Sequence, residues 1–233
     1  MQREGQMAVM TTEFALQRNN MVEGQIRTID VTNRSLLDAL FDVPREEFVP
    51  AAKRAIAYSD QDILIQAAGE GQPARYLMEA ACFAKLVQLA DVKPGDVVLD
   101  LGCGLGYSAA VLSRLAGSVI AVEDDADLAA AASETLSRLG FDNVAVVNAP
   151  AVQGCAKEGP YDVILIEGSV EEVPSDLFKQ LREGGRLVAV EGHGNAANAL
   201  VYVRDGENVT SRKAFNLSIR SIAGFEKKPT FKF

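Results

Sequence analysis

Val97-Val98-Leu99-Asp100-Leu101-Gly102-Cys103-Gly104-Leu105-Gly106-Tyr107-Ser108 is the stretch that decides the fold. A short apolar run ends in a carboxylate, breaks into three alternating glycines and opens into a helical pattern from about Ser108 to Leu115. Strand, glycine turn and helix in that order are the grammar of a parallel sheet, whose strands are buried on both faces and so read as continuous apolar runs.

The alternation continues downstream. A strand at Val119 to Val122 leads to a helix at Leu128 to Leu139, then a strand at Val144 to Val147. A strand at Val163 to Ile166 leads to a helix at Ser175 to Leu181, and Gly184-Gly185 turns into a strand at Arg186 to Val190. Five such strands define a doubly wound α/β sheet. The remainder, Ala199 to Val203 and Val209 to Phe233, has no helical period and is expected to close the sheet as an antiparallel pair, for seven mostly parallel strands in all. Upstream, residues from about 10 to 60 show helical spacing, with Leu36, Leu37, Leu40 and Phe41 on one stripe and a break at Val43-Pro44. Asp60 to Gly71 reads as a loop. Met78 to Leu89 reads as a helix stopped by the turn Lys93-Pro94-Gly95-Asp96. The division expected is an N-terminal helical extension with a loop over residues 1–76 and a ligand-binding domain over 77–233.

The 233 residues, 48% hydrophobic, suffice for one substantial core. With no long apolar run and no signal peptide, the expectation is a cytoplasmic chain without membrane partners. Cys82, Cys103 and Cys155 are widely spaced and form no C-x-x-C pair, so neither a disulfide framework nor a zinc site is suggested. The net charge of −9 argues against binding a phosphate backbone, although basic residues outnumber acidic ones from Arg204 onward. A solvated strand face accounts for that run.

Open α/β sheets bind ligands at the carboxyl ends of their strands, where Asp100 and the glycines fall. Gly102, Gly104 and Gly106 let the backbone approach a nucleotide-like ligand. Seventeen residues beyond Gly106, Glu123 stands just past the second strand, where a carboxylate can accept from both ribose hydroxyls. The spacing is G-x-G-x-G, not G-x-G-x-x-G, and Asp100 would repel a pyrophosphate. A cationic sulfonium cofactor, S-adenosylmethionine, suits that carboxylate, and a methyltransferase follows in preference to a dehydrogenase. Tyr107 and Asp124, adjoining these positions, are counted with the cofactor set. Glu167 and Ser169 follow the fourth strand and either face the transferred methyl or belong to a plain strand-end loop. His193 lies near where acceptors enter this fold, or simply in a solvated loop.

Across about residues 21 to 192 the chain resembles the protein-L-isoaspartate O-methyltransferases. The resemblance rests on Met21-Val22 with Gln25-Ile26, on Val43-Pro44-Arg45-Glu46-Glu47-Phe48-Val49-Pro50 and on Ala57-Tyr58-Ser59-Asp60. It rests also on the glycine loop with Ala110-Val111-Leu112, on Tyr161-Asp162-Val163-Ile164 and on Gly184-Gly185-Arg186-Leu187-Val188. It implies that residues 100–106 wrap the methionine part of the cofactor, that Glu123 holds the ribose, and that Asn148-Ala149 lie near the adenine in place of the family's Gly-Asp-Gly. It implies as substrate an isoaspartyl carboxylate of a damaged protein or peptide. The acceptor loop departs: Ala67-Ala68-Gly69-Glu70-Gly71-Gln72-Pro73 keeps only Gln72-Pro73, and Gly71 stands where the family has its active-site serine. Glu70, Gly71 and Gln72 are thus candidate acceptor-site residues, and a different acceptor, or a cofactor-binding module without isoaspartyl activity, is the alternative. Residues 1–20 are read as a flexible extension or a dimer-forming helix, leaving monomer and homodimer open.

Overall fold

The computed structural model describes residues 2–69 and 71–227, with side chains from residue 12 onward. Seven strands form the main sheet: β3 (Val97–Leu101), β4 (Ser118–Glu123), β5 (Val144–Asn148), β6 (Tyr161–Val170), β7 (Leu181–Glu191), β8 (Asn198–Asp205) and β9 (Asn208–Asn216). Their order is β5-β4-β3-β6-β7-β8-β9, parallel from β5 to β7 and antiparallel through the β8–β9 edge. The chain winds outward from β3 to β5, then returns to lay β6 against the other side of β3. The crevice at the carboxyl ends of β3 and β6 is therefore the topological switch point.

Both faces are dry at the central strands β3, β4, β6 and β7, which is why those strands read as apolar runs, whereas the edge strands β5 and β9 are half-buried to exposed. Val98, Val163, Leu165, Val188 and Val190 pack on one face with Phe83, Leu86, Val111 and Leu112. Their neighbours Leu99, Ile164, Ile166, Leu187 and Ala189 pack on the other with Tyr161, Leu177 and Phe225. The first face is covered by α3 (Ala80–Ala90), α4 (Tyr107–Ser113) and α5 (Ala126–Arg138). It also takes Met21, Ile26, Leu36, Leu40 and Phe48 from the N-terminal helices α1 (Gln2–Met21) and α2 (Arg34–Asp42) and their connections. The second face is covered more thinly, by α6 (Ser175–Phe178) and by Ile222 and Phe225 of a strap, residues 217–227, that runs back from β9 to the switch point and packs Leu217 and Ile219 on the first face. Among the described residues no helix is long and apolar enough to cross a membrane.

Three expectations are corrected. The stretch from Asp60 to Gly71 is not all loop: β1 (Ile63–Gln66) pairs with β2 (Arg75–Leu77) as a small antiparallel hairpin. The helical front is interrupted after Met21 by a π-turn at Val22–Ile26 and a 3₁₀ turn at Arg27–Ile29. The antiparallel edge ends at Asn216, and the strap beyond it makes only an isolated bridge, Ser169 with Ser221. The Thr230–Phe233 alternation lies outside the described residues.

Candidate functional site

The glycine loop is tied to the end of β4. The Gly102 and Cys103 amides both donate to the Val122 carbonyl, at 2.8 and 3.2 Å, and the Gly104 amide donates to Glu123 Oε2 at 2.8 Å. Gly102, Gly104 and Gly106 all have left-handed φ values, +87°, +57° and +93°. Side-chain tips already lie over the loop. A Cβ built on Gly102 would meet Ile222 Cδ1 at 2.4 Å, and one on Gly104 would meet Ile65 Cδ1 at 2.9 Å. Only about 20 Å³ remains beside Gly102, Gly104, Ser108 and Glu167. A ligand seated on this loop takes the place of Ile65 and Ile222.

Two carboxylates flank the loop from adjacent strands. Asp100 is fully buried near the end of β3, its Oδ2 accepting from Ser108 Oγ at 2.6 Å while Oδ1 has no hydrogen-bond partner. Glu167, facing it from β6, likewise has a sealed and unpartnered Oε1. Burial raises both carboxyls above the ordinary range, and like charge adds to it: Glu123 acting on Asp100, and Asp100 on Glu167. A buried site with two under-satisfied acceptors favours a cation.

Glu123 is fully buried and grips more than the loop. Its two oxygens accept from Arg75, Nη1 to Oε1 at 2.5 Å and Nη2 to Oε2 at 2.7 Å, and Oε1 also accepts from the Asp125 amide at 3.1 Å. One strand away, Gln66 donates to Asp125 Oδ2 at 3.0 Å, which holds the Asp125 carboxyl below its usual value. The β1–β2 hairpin is thus clasped to the end of β4 by one polar side chain from each of its strands.

Asn148 Nδ2 donates to the Glu123 and Asp124 carbonyls, at 2.8 and 3.0 Å, and the Ala149 amide donates to the Glu123 carbonyl at 3.2 Å. Asp124 accepts from the Ala151 amide at 2.9 Å and borders a cleft of about 180 Å³ with Gln66, Gln72, Arg75 and Ile222. Tyr107 turns its ring inward, with centroids 5.9 Å from Phe48 and 5.7 Å from Phe83 and the Arg45 guanidinium 4.6 Å from its own. A second cleft of about 330 Å³ is lined by Arg75, Tyr76, Gly102, Glu167, His193 and Arg220, among others. Ser169 is tied to the strap, its amide donating to the Arg220 carbonyl at 2.8 Å and its hydroxyl 3.3 Å from that of Ser221. Gly71 sits exposed in a tight turn whose ends, Gly69 and Gln72, exchange backbone hydrogen bonds. Glu70 lies outside the described residues.

The fold therefore gathers Asp100, the glycines, Glu123 and Glu167 at one point, with His193 at the rim of the second cleft and Gln72 at that of the first. Arg75, Ile65, Ile222, Tyr76 and Arg220 are additional. None belongs to a motif, and only the apolar run Ile63-Leu64-Ile65 carried a local signal, that of a short strand.

Residues 16–219 match the family model for protein-L-isoaspartate(D-aspartate) O-methyltransferase. The chain is 38% identical to a protein-L-isoaspartate O-methyltransferase of Koribacter versatilis over 181 residues, covering 78% of this chain and 79% of the relative. It is 36% identical to one of Roseiflexus castenholzii over 212 residues, covering 91% and 94%. A solved protein-L-isoaspartate O-methyltransferase superposes with a TM-score of 0.76 at 25% identity, covering 89% of this chain and 66% of that one.

Proposed function

Given that the chain belongs to the protein-L-isoaspartate(D-aspartate) O-methyltransferase family, we propose that it transfers a methyl group from S-adenosylmethionine to an isoaspartyl carboxylate of damaged protein or peptide, the first step of repair. The observation that carries this reading is the pairing of a glycine cradle with two under-satisfied carboxyls at the switch point, Asp100 fully buried and Glu167 half-buried with one oxygen sealed. Those residues fit a cationic amino-acid cofactor and would repel a phosphate.

In the proposed site, Asp100 and Glu167 hold the cationic methionine end, the backbone of Gly102 to Gly106 lies along it, and Glu123 takes the ribose. Asp124, Asn148 and Ala149 border the adenine, and Tyr107 supports the loop from the core. When bound, S-adenosylmethionine supplies a methyl group on a positively charged sulfur. The acceptor carboxylate is already an ionised nucleophile at neutral pH, so no side chain has to remove a proton. The chain's task is positioning: holding one acceptor oxygen in line with the methyl and excluding water. His193, with Gly71 and Gln72 on the acceptor loop, completes the acceptor side, and Ser169, buried beneath the strap, supports it from within. Three unpaired cysteines, two of them partly exposed, suit a reducing cytoplasm.

Gly71 favours a second reading, a different acceptor, because the turn there offers no hydroxyl and a Cβ would meet nothing within 4 Å. Titration calorimetry with S-adenosylmethionine and S-adenosylhomocysteine, followed by mass spectrometry of an isoaspartyl peptide, separates the two. Binding with a gain of one methyl is expected. Binding without transfer turns the search to other acceptors, and no binding removes the cofactor assignment.

A further inference from the structure

The Arg75 guanidinium lies between the two clefts and holds the carboxylate assigned above to the ribose. Glu123 accepts four hydrogen bonds: two from Arg75, one from the Gly104 amide and one from the Asp125 amide. A carboxylate has about four lone-pair positions, so all are taken. The two amides are fixed by the glycine loop and the turn after β4. Arg75 is the one donor of this set on a flexible side chain, and a ribose diol reaching Glu123 takes its place.

A displaced guanidinium can turn toward the first cleft, lined by Asp124 and Asp125, or toward the 330 Å³ cleft beside Glu167, where an acceptor carboxylate would meet it. Among the described residues lining the latter, the basic side chains are Arg75, His193 and Arg220. Arg220 is already committed, with Nε 2.9 Å from Asp62 and its guanidinium stacked 3.8 Å from the Tyr76 ring centroid. His193 lies 3.4 Å from Glu171. Arg75 alone has a partner that cofactor binding would claim. It is also a bidentate donor, the geometry that best matches a carboxylate.

We propose that Arg75 serves two anions in turn: it closes the ribose site on Glu123 in the free chain and, once the cofactor's ribose displaces it, turns into the neighbouring cleft to hold the acceptor carboxylate. It thereby supplies the donor that Gly71 lacks and makes binding ordered, cofactor first. This rests on the cofactor reading above.

The test is calorimetry on wild type, R75M and R75K, first with S-adenosylhomocysteine and then with an isoaspartyl peptide titrated into the S-adenosylhomocysteine-loaded chains. R75M should bind S-adenosylhomocysteine about tenfold more tightly and the peptide about tenfold more weakly. Lysine keeps the charge but not the fork, and R75K should fall between on both. Changes of opposite sign are not expected from a residue that merely supports the fold. If R75M fails to fold by circular dichroism, R75K carries the same comparison. Wild-type binding with unchanged or weaker S-adenosylhomocysteine affinity in the variants overturns the proposal, as does a loaded wild type that ignores the peptide or a variant that binds it equally well. No S-adenosylhomocysteine binding by the wild type is a different failure, that of the cofactor reading.

Discussion

Asp100 and Glu167 are held where burial opposes their ionisation, each with an oxygen that nothing in the protein satisfies. Such groups weaken a fold, and they persist where a ligand uses them. The sign of the pH dependence follows. A carboxyl in the unfolded chain ionises near pH 4, whereas in the folded chain it keeps its proton to higher pH. The folded state therefore binds more protons over that interval, and its stability falls as pH rises from about 4 to the raised folded value. Glu167→Gln removes the charge and keeps the shape. Its melting temperature should exceed that of wild type by about 3–5 °C at pH 8, and the gap should close toward pH 4. A constant gap across that range would show that Glu167 is ionised throughout. The same substitution should weaken S-adenosylmethionine binding at pH 8, because the under-satisfied acceptor is what a cationic ligand would meet.

Glycines at the ends of two helices do different work, and the difference is measurable. Gly106 starts α4 with φ +93°, and a Cβ there would lie 3.0 Å from Leu136 Cδ1 and 3.3 Å from Ala132 Cβ on α5. Gly140 follows α5 with φ +76° and open space where its Cβ would be. It closes a Schellman motif, in which the Phe141 amide donates to the Leu136 carbonyl and the Gly140 amide to that of Ser137. Gly140→Ala should cost about 1 kcal/mol, the backbone strain alone. Gly106→Ala should cost about 2–4 kcal/mol, because the packing of α4 against α5 must also give. Urea unfolding of both variants checks this, and equal losses would mean that Leu136 moves aside freely. Elements of this kind were legible from local chemistry: β3 begins and ends at Val97 and Leu101 as its apolar run does, and Glu123 stands at its strand end by spacing alone. The β1–β2 hairpin was not, because much of its stability is tertiary. Its side chains Gln66 and Arg75 are bound by acidic residues that lie 59 and 48 positions away along the chain. No period or motif within Asp60 to Leu77 announces such partners.

Across the whole molecule, the sheet's two faces are unequally covered, and the thin side takes the far end of the strap, Ile222 and Phe225. Residues 217–227 leave the β9 edge, cross the ends of β8, β7 and β6, and place Ile222 over Gly102. Four backbone bonds hold them: Leu217 N to Ala197 O at 3.1 Å, Ser169 N to Arg220 O at 2.8 Å, Ile222 N to Ser169 O at 3.1 Å and Glu171 N to Phe225 O at 3.3 Å. Phe225, 2% exposed, is their apolar anchor in the second core cluster. A short segment held by these bonds, by Phe225, by the Arg220 contacts to Asp62 and Tyr76 and by the half-buried Leu217, Ile219 and Ile222 is of the size that opens by itself, below the free energy of global unfolding. A ligand seated on the glycine loop needs that opening, since Ile222 occupies the approach to Gly102. Phe225→Ala removes the anchor, a loss of about 3–5 kcal/mol where an aromatic side chain is fully buried. Charged entirely to strap opening, that loss would raise trypsin cleavage at Arg220 on the order of 100-fold or more while the melting temperature moves by a few degrees at most. If the strap instead unfolds only with the sheet, Phe225→Ala should lower the melting temperature by about 10 °C and speed cleavage at Arg220 no more than at sites in the core. The two patterns exclude each other, and limited proteolysis beside a thermal melt tells them apart.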